Sequence, residues 1–223
     1  MKQSRSSRRK NDKEIRRLTG LSILLASAIV LQLLSNYVQF GSVSITLSLV
    51  PIVLAGILYG PIGGLFLGLA VGALTIAAPA TISGFLAIAP AGTVITCLGK
   101  MAFAGLIPSL IFLAFKKKHP NVGIVLASLS APFVNTGLFI AGCYTFFYPT
   151  LVSMAGNANT SVTSIVFLSF CGVNFLLEFA IDAALSPALI YLCKALFKRK
   201  DIGSDVVGVQ KKNDWEEASL TSK

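Results

Sequence analysis

Three charged side chains interrupt stretches that are otherwise apolar, and they are where chemistry could reside: Lys100 in GTVITCLGKMAFAGLIPSL, and Glu178 and Asp182 in VNFLLEFAIDAALS. A charge inside hydrocarbon costs about 2.5 to 3.5 kcal/mol on insertion scales, so such residues pair with one another or face a water-filled cavity. Asn174, Glu178 and Asp182 recur every four residues, which on a helix places an amide and two carboxylates in one stripe. Asn135, in APFVNTGLF, needs partners as well, because an unsatisfied amide in apolar surroundings costs a few kcal/mol. Counted from the nearest basic helix end, Lys100, Asn135 and Glu178 stand roughly 21 to 24 Å up at 1.5 Å per residue, so they share one layer.

Two readings of this layer stay open. Lys100 and Glu178 can form a buried ion pair that ties two helices together. Alternatively, Lys100 faces an outer cavity and receives a ligand carboxylate, while Asn135, Asn174 and Glu178 hydrogen-bond ligand hydroxyl or amide groups and Thr96 and Gln39 add polar contacts. A pair at the cavity floor would satisfy both. The rest of the sequence offers no other chemistry. His119 lies in the basic turn KKKHP, and Cys97, Cys143, Cys171 and Cys193 have no paired spacing, so neither a metal site nor disulfides are expected. A phosphate-binding loop and a nucleophile elbow are both missing, so no cofactor and no enzymatic activity are expected.

The elements that position these residues are membrane helices. The 223 residues are 54% hydrophobic and 13% charged, with mean hydropathy +0.77, too apolar for a soluble domain to clothe its surface. The apolar, uncharged run 46–78 exceeds the roughly 20 residues of one crossing and carries Tyr59-Gly60-Pro61-Ile62-Gly63-Gly64 at its middle, which predicts a helical hairpin. Gly64, Gly68 and Gly72 put hydrogen-only side chains in one row for close helix contact. Further helices are expected over 18–36, 93–115, 121–147 and 164–196. An extended loop is expected over 40–45 and a capping loop, poor in helix, over 79–92. The reading is an all-α integral membrane protein with six transmembrane helices. Its domains are a basic tail over 1–17, a membrane domain over 18–196 and a tail over 197–223 that lacks an apolar period and is expected to be disordered.

The net charge of +10 is explained by topology, with no nucleic-acid partner implied. Basic residues gather at the N-terminus, at Lys116-Lys117-Lys118 and at Lys198-Arg199-Lys200, whereas the loops expected after the first, third and fifth helices carry no Lys or Arg. The positive-inside rule then places both termini in the cytosol. Cleavage after the first helix is not expected, because Ala26-Ser27-Ala28 lies inside the apolar run.

The hairpin SLVPIVLAGILYGPIGGLFLGLAVG, the uncharged outer loops and the charged sixth helix resemble the substrate-binding S-component of energy-coupling factor (ECF) vitamin transporters over about 18–196. VNTG in the fifth helix makes the chain look most like the pantothenate branch. The resemblance implies a subunit of the bacterial cytoplasmic membrane that binds a water-soluble vitamin in an outer-face cavity. It also implies docking, through small residues of the first helix, on a membrane coupling subunit driven by two ATPases. The family's Ala-x-x-x-Ala pair is here Ser22 and Ala26, serine being small enough for close approach. Against this stand an S-component for another vitamin, a stand-alone proton-coupled permease using Glu178 and Asp182 as its relay, and a membrane protein without a ligand. No internal repeat of the kind that marks inverted-repeat transporters is visible.

Overall fold

The computed structural model describes residues 2–36, 39–40, 43–44 and 46–198, with side chains described over 14–36, 46–167, 171–172 and 175–196. Helix α1 (Lys2–Ser35) is followed by strands β1 (Gln39–Phe40) and β2 (Val43–Ser44), which pair antiparallel with Gln39 opposite Ser44. Then come α2 (Leu49–Ile76), a π-helical turn (Thr81–Leu86), α3 (Pro90–Phe115), α4 (Pro120–Phe146) and α5 (Tyr148–Asn157). A short α6 (Val162–Ser164), a second π-helical segment (Ile165–Gly172) and α7 (Val173–Lys198) complete the described chain. Among the described residues, five helices are long and apolar enough to cross a membrane: Glu14–Ser35 within α1, then α2, α3, α4 and Phe175–Leu196 within α7.

Helix α2 is the expected hairpin. Gly60 breaks it with φ 79° and ψ −177°, a conformation open essentially only to glycine, and Pro61 restarts it. The chain turns back on itself there. A Cβ on Gly63 would stand 3.2 Å from the carbonyl oxygen of Ala55, two helical turns away in sequence. At the other end Thr46 and Thr75, which flank the two arms, line the same cavity. Both arms, 49–60 and 61–76, fall short of the roughly 20 residues of a full crossing.

The first arm has no polar residue that could face water, and the fold uses it as the centre. Leu49 and every residue from Pro51 to Gly60 are buried, against Ala28 of α1, Ala104 and Phe112 of α3, Ile124 and Ala127 of α4 and Leu189 of α7. The second arm is one-sided. Gly64, Gly68 and Gly72 face α3, and a Cβ on Gly64 or Gly68 would overlap the main-chain carbonyls of Gly105 and Met101, while one on Gly72 would sit 2.9 Å from that of Cys97. Ile62, Phe66 and Leu69 on the opposite side are exposed. The glycine row therefore sets the spacing of α2 and α3, the most extensive helix contact in the molecule.

Polar contacts clamp α1 to both ends of the first arm. Arg17 Nη2 donates to the carbonyl of Tyr59 (3.1 Å), the group that the break at Gly60 leaves over. At the opposite end Ser48 Oγ donates to Gln32 Oε1 (2.7 Å), and the Leu47 N–H donates to Ser35 Oγ (3.1 Å).

The structure differs from expectation in four places. The basic segment begins as helix at Lys2, because extending a helix already nucleated downstream costs only one residue's freedom per hydrogen bond. Residues 79–92 are not a loop poor in helix: Pro79 and Pro90 each occupy an opening turn, where proline is tolerated, and the π-helical turn lies between them. The uncharged stretch after Tyr148 forms α5, which buries Leu151 and Ala155 one turn apart. The stretch expected as a loop over 40–45 contains the β1–β2 ribbon. Of the tail expected over 197–223, residues 197 and 198 end α7 and the rest lies outside the described residues.

Replacing Gly68 by leucine is expected to destabilise the detergent-solubilised protein by about 1 to 3 kcal/mol, the cost of overpacking a close contact. The same change at exposed Ile62 should leave the melting temperature unmoved, and equal melting of the two variants would refute the role given to the glycine row.

Candidate functional site

Glu178 is 5% exposed, and both of its carboxylate oxygens accept hydrogen bonds from other elements. Oε1 accepts from the main-chain N–H of Thr46 (2.8 Å), in the turn before α2, and Oε2 accepts from Asn135 Nδ2 of α4 (3.2 Å). One turn further along α7, Asp182 is 3% exposed. Its main-chain oxygen accepts from Ser186 Oγ (2.8 Å) and from Ser128 Oγ of α4 (3.3 Å), while its carboxylate Oδ2 is buried without a partner. The stripe of carboxylates on α7 thus faces α4 and the start of α2.

The expected Lys100–Glu178 ion pair is not formed. The Lys100 ammonium lies over the Phe139 ring of α4, 5.2 Å from its centroid, a cation–π contact. Both residues nevertheless line one cavity. Asn135 lines it too, so the shared layer inferred from helix depth corresponds to a shared wall.

The remaining walls combine hydroxyls and aromatics. Gln32 from α1, Thr75 from α2, Thr81 from the π-helical turn, Thr93 and Thr96 from α3 and Thr136 from α4 supply polar groups. Phe85 packs edge-on against Phe139 (centroids 5.6 Å apart) and Phe147 (5.1 Å), closing an aromatic wall around the lysine. Both π-helical segments border the site, through Phe85 in one and Cys171 in the other. Such wide turns are rare and gather at functional sites.

The other expected residues fare differently. Thr96 lines the cavity, but its side chain is pressed against Gly142 of α4 and its buried Oγ1 has no hydrogen-bond partner. The side chains of Asn174 and Gln39 lie outside the described residues. Ser22 and Ala26 are exposed on the outer face of α1, away from the cavity. Cys97 and Cys171 line the cavity as free thiols. No group of three or more His, Cys, Asp or Glu suited to a metal occurs among the described residues.

Sequence reasoning missed Thr46, whose contribution is a main-chain N–H and leaves no trace in residue type, and Phe139, one of many aromatics in apolar helices. Gln32 had a signal, a lone amide in an apolar run. Chemically, the site offers one ammonium not matched by a carboxylate within bonding distance among the described residues, a ring of hydroxyls, and an aromatic flank. It can bind a small polar solute with an acidic group. Changing Glu178 to alanine leaves the Thr46 N–H and the Asn135 amide unpaired. It should cost about 1 to 3 kcal/mol for each buried donor, read as a lowered melting temperature of the purified protein.

No curated protein and no solved structure matches the chain significantly. The family described as ECF transporter, substrate-specific component, matches residues 16–190, from the start of the membrane part of α1 into α7. This range takes in Lys100, Asn135, Glu178 and the whole hairpin, and the chain belongs to that family of transport subunits.

Proposed function

We propose that this protein is the substrate-binding membrane subunit of an ATP-energised uptake transporter, and that its substrate is a water-soluble vitamin carrying a carboxylate, with pantothenate the best match. The observation that carries the reading is the state of the charged layer. Each oxygen of Glu178 already accepts one internal donor, whereas the Lys100 ammonium rests on an aromatic face inside the cavity. An ammonium held this way keeps its charge available, and a ligand carboxylate would gain a charge-assisted hydrogen bond there. Lys100 is the carboxylate anchor in this reading, and Thr96, Asn135, Asn174, Glu178 and Gln39 form the polar surroundings for the amide and two hydroxyls of pantothenate.

The two arms of α2 count as two passes in this arrangement, giving six with both termini in the cytosol of a bacterial cell and the cavity on the outer side. Proximity of basic residues to the Arg17 end supports it. Ser22 and Ala26 present a small-residue face on which a coupling subunit, itself driven by two ATPases, can pack. A proton-coupled permease working through Glu178 and Asp182 fits less well, because Glu178 holds three elements together and is not free to move.

A binding screen of the purified protein across water-soluble vitamins should find pantothenate binding, weakened about 10- to 100-fold by Lys100→Ala, the equivalent of one charge-assisted bond. Failure to bind any vitamin, or an unchanged Kd in the variant, would overturn the assignment. Cellular accumulation is expected only when the energising subunits are co-expressed, and Ala26→Trp should abolish accumulation while leaving the Kd of the isolated protein unchanged. Accumulation driven by a proton gradient without those subunits would favour the permease instead.

A further inference from the structure

Asn135 poses a question that its hydrogen bond to Glu178 answers. The residue is 4% exposed and lines the cavity; one N–H of its Nδ2 is donated to Glu178, and its Oδ1 is buried with no hydrogen-bond partner. The orientation of this amide is dictated by chemistry. Against an ionised carboxylate a flipped amide would set Oδ1 beside an oxygen that has no hydrogen to offer, so with Glu178 ionised the amine side faces it. Glu178 in turn is held by the main-chain N–H of Thr46, which can only donate. With Glu178 ionised, the order of donors and acceptors is therefore fixed from Thr46 through Glu178 to Asn135, and its last member is a buried acceptor on a residue that lines the cavity. A buried acceptor left unmatched costs about 1 to 3 kcal/mol, a deficit that a bound partner would remove.

We propose that Glu178 is a positioning residue that sets substrate specificity by locking the Asn135 amide so that the cavity takes solutes presenting a hydrogen-bond donor, a hydroxyl or an amide N–H, in addition to an acidic group. The proposal rests on the reading that this cavity holds the acidic solute, and it changes the role of Glu178 from ligand contact to support. Selectivity follows from the general asymmetry of polar sites: an analogue that lacks the donor leaves Asn135 Oδ1 unpaired and is rejected more strongly than one lacking apolar contact.

The substitution Glu178→Gln separates positioning from bulk structure. The new side chain keeps its oxygen for the Thr46 N–H and must then point its NH2 at residue 135. The Asn135 amide is forced to turn over and to present its own NH2 to the cavity. Binding of pantothenate is compared with that of two donor-deleted analogues, one with both hydroxyls methylated and one with the amide nitrogen methylated. Wild type should bind one of the two analogues at least about tenfold more weakly than pantothenate, the equivalent of one hydrogen bond. In Glu178→Gln that difference should collapse, although the added methyl is the same. Asn135→Ala, which removes the acceptor without touching the Thr46 bond, should collapse it too, and serves if the glutamine variant does not fold. Equal binding of all three probes by wild type, or undiminished discrimination in both variants, overturns the proposal alone. Binding of no probe by wild type overturns the vitamin reading together with it.

Discussion

A carboxylate buried in apolar surroundings is costly without donors, and at Glu178 this protein supplies them to both oxygens. Its two oxygens take the Thr46 main-chain N–H and the Asn135 amide, so one side chain joins the turn before α2, the middle of α4 and the start of α7. The constraint acts in both directions. The carboxylate needs those donors to be stable, and the turn at Thr46, set inside the bundle, needs an acceptor for a main-chain group that no helix satisfies. Substrate recognition is built on the same few bonds as the joining of the elements.

Those elements are brought within reach by a different kind of force. The first arm of α2 is apolar on every side and serves as a central post, while the second arm is fastened to α3 by glycines that let the two backbones approach closely. Dispersion between closely packed backbones, with no contribution from solvent exclusion inside a bilayer, is the natural adhesive for such a pair. Because neither arm is long enough for a full crossing, the post begins at cavity depth. This leaves room for the cavity above it and for the polar contacts at Ser48, Gln32 and Ser35. The elbow at Gly60 and its Arg17 bond lie at the opposite end, so scaffold and site are separated along the length of the bundle.

The family assignment and the geometry together give a subunit whose work is recognition. A substrate-specific component needs a site that holds its solute firmly enough to select it, and the walls here are hydroxyls, aromatic faces and one ammonium.

Much of the fold was legible in the sequence because membrane helices must satisfy their own backbones, so long apolar runs and a Gly-Pro interruption leave few alternatives. The hairpin, the glycine row and the layer shared by Lys100, Asn135 and Glu178 were readable from hydropathy, small-residue spacing and 1.5 Å per residue. The helical character of 79–92 and of α5 was not, since Pro, Gly, Ser and Asn signal breaks locally while packing decides whether a helix can begin there. Least legible were the partners inside the charged layer. The sequence by itself determined that an ammonium and a carboxylate lie at one depth. Only the tertiary structure decided that the carboxylate is taken by Thr46 and Asn135 and the ammonium by Phe139. Depth follows from position along one helix, whereas hydrogen-bond partners depend on the rotation of neighbouring helices about their axes and on main-chain groups that residue types do not encode.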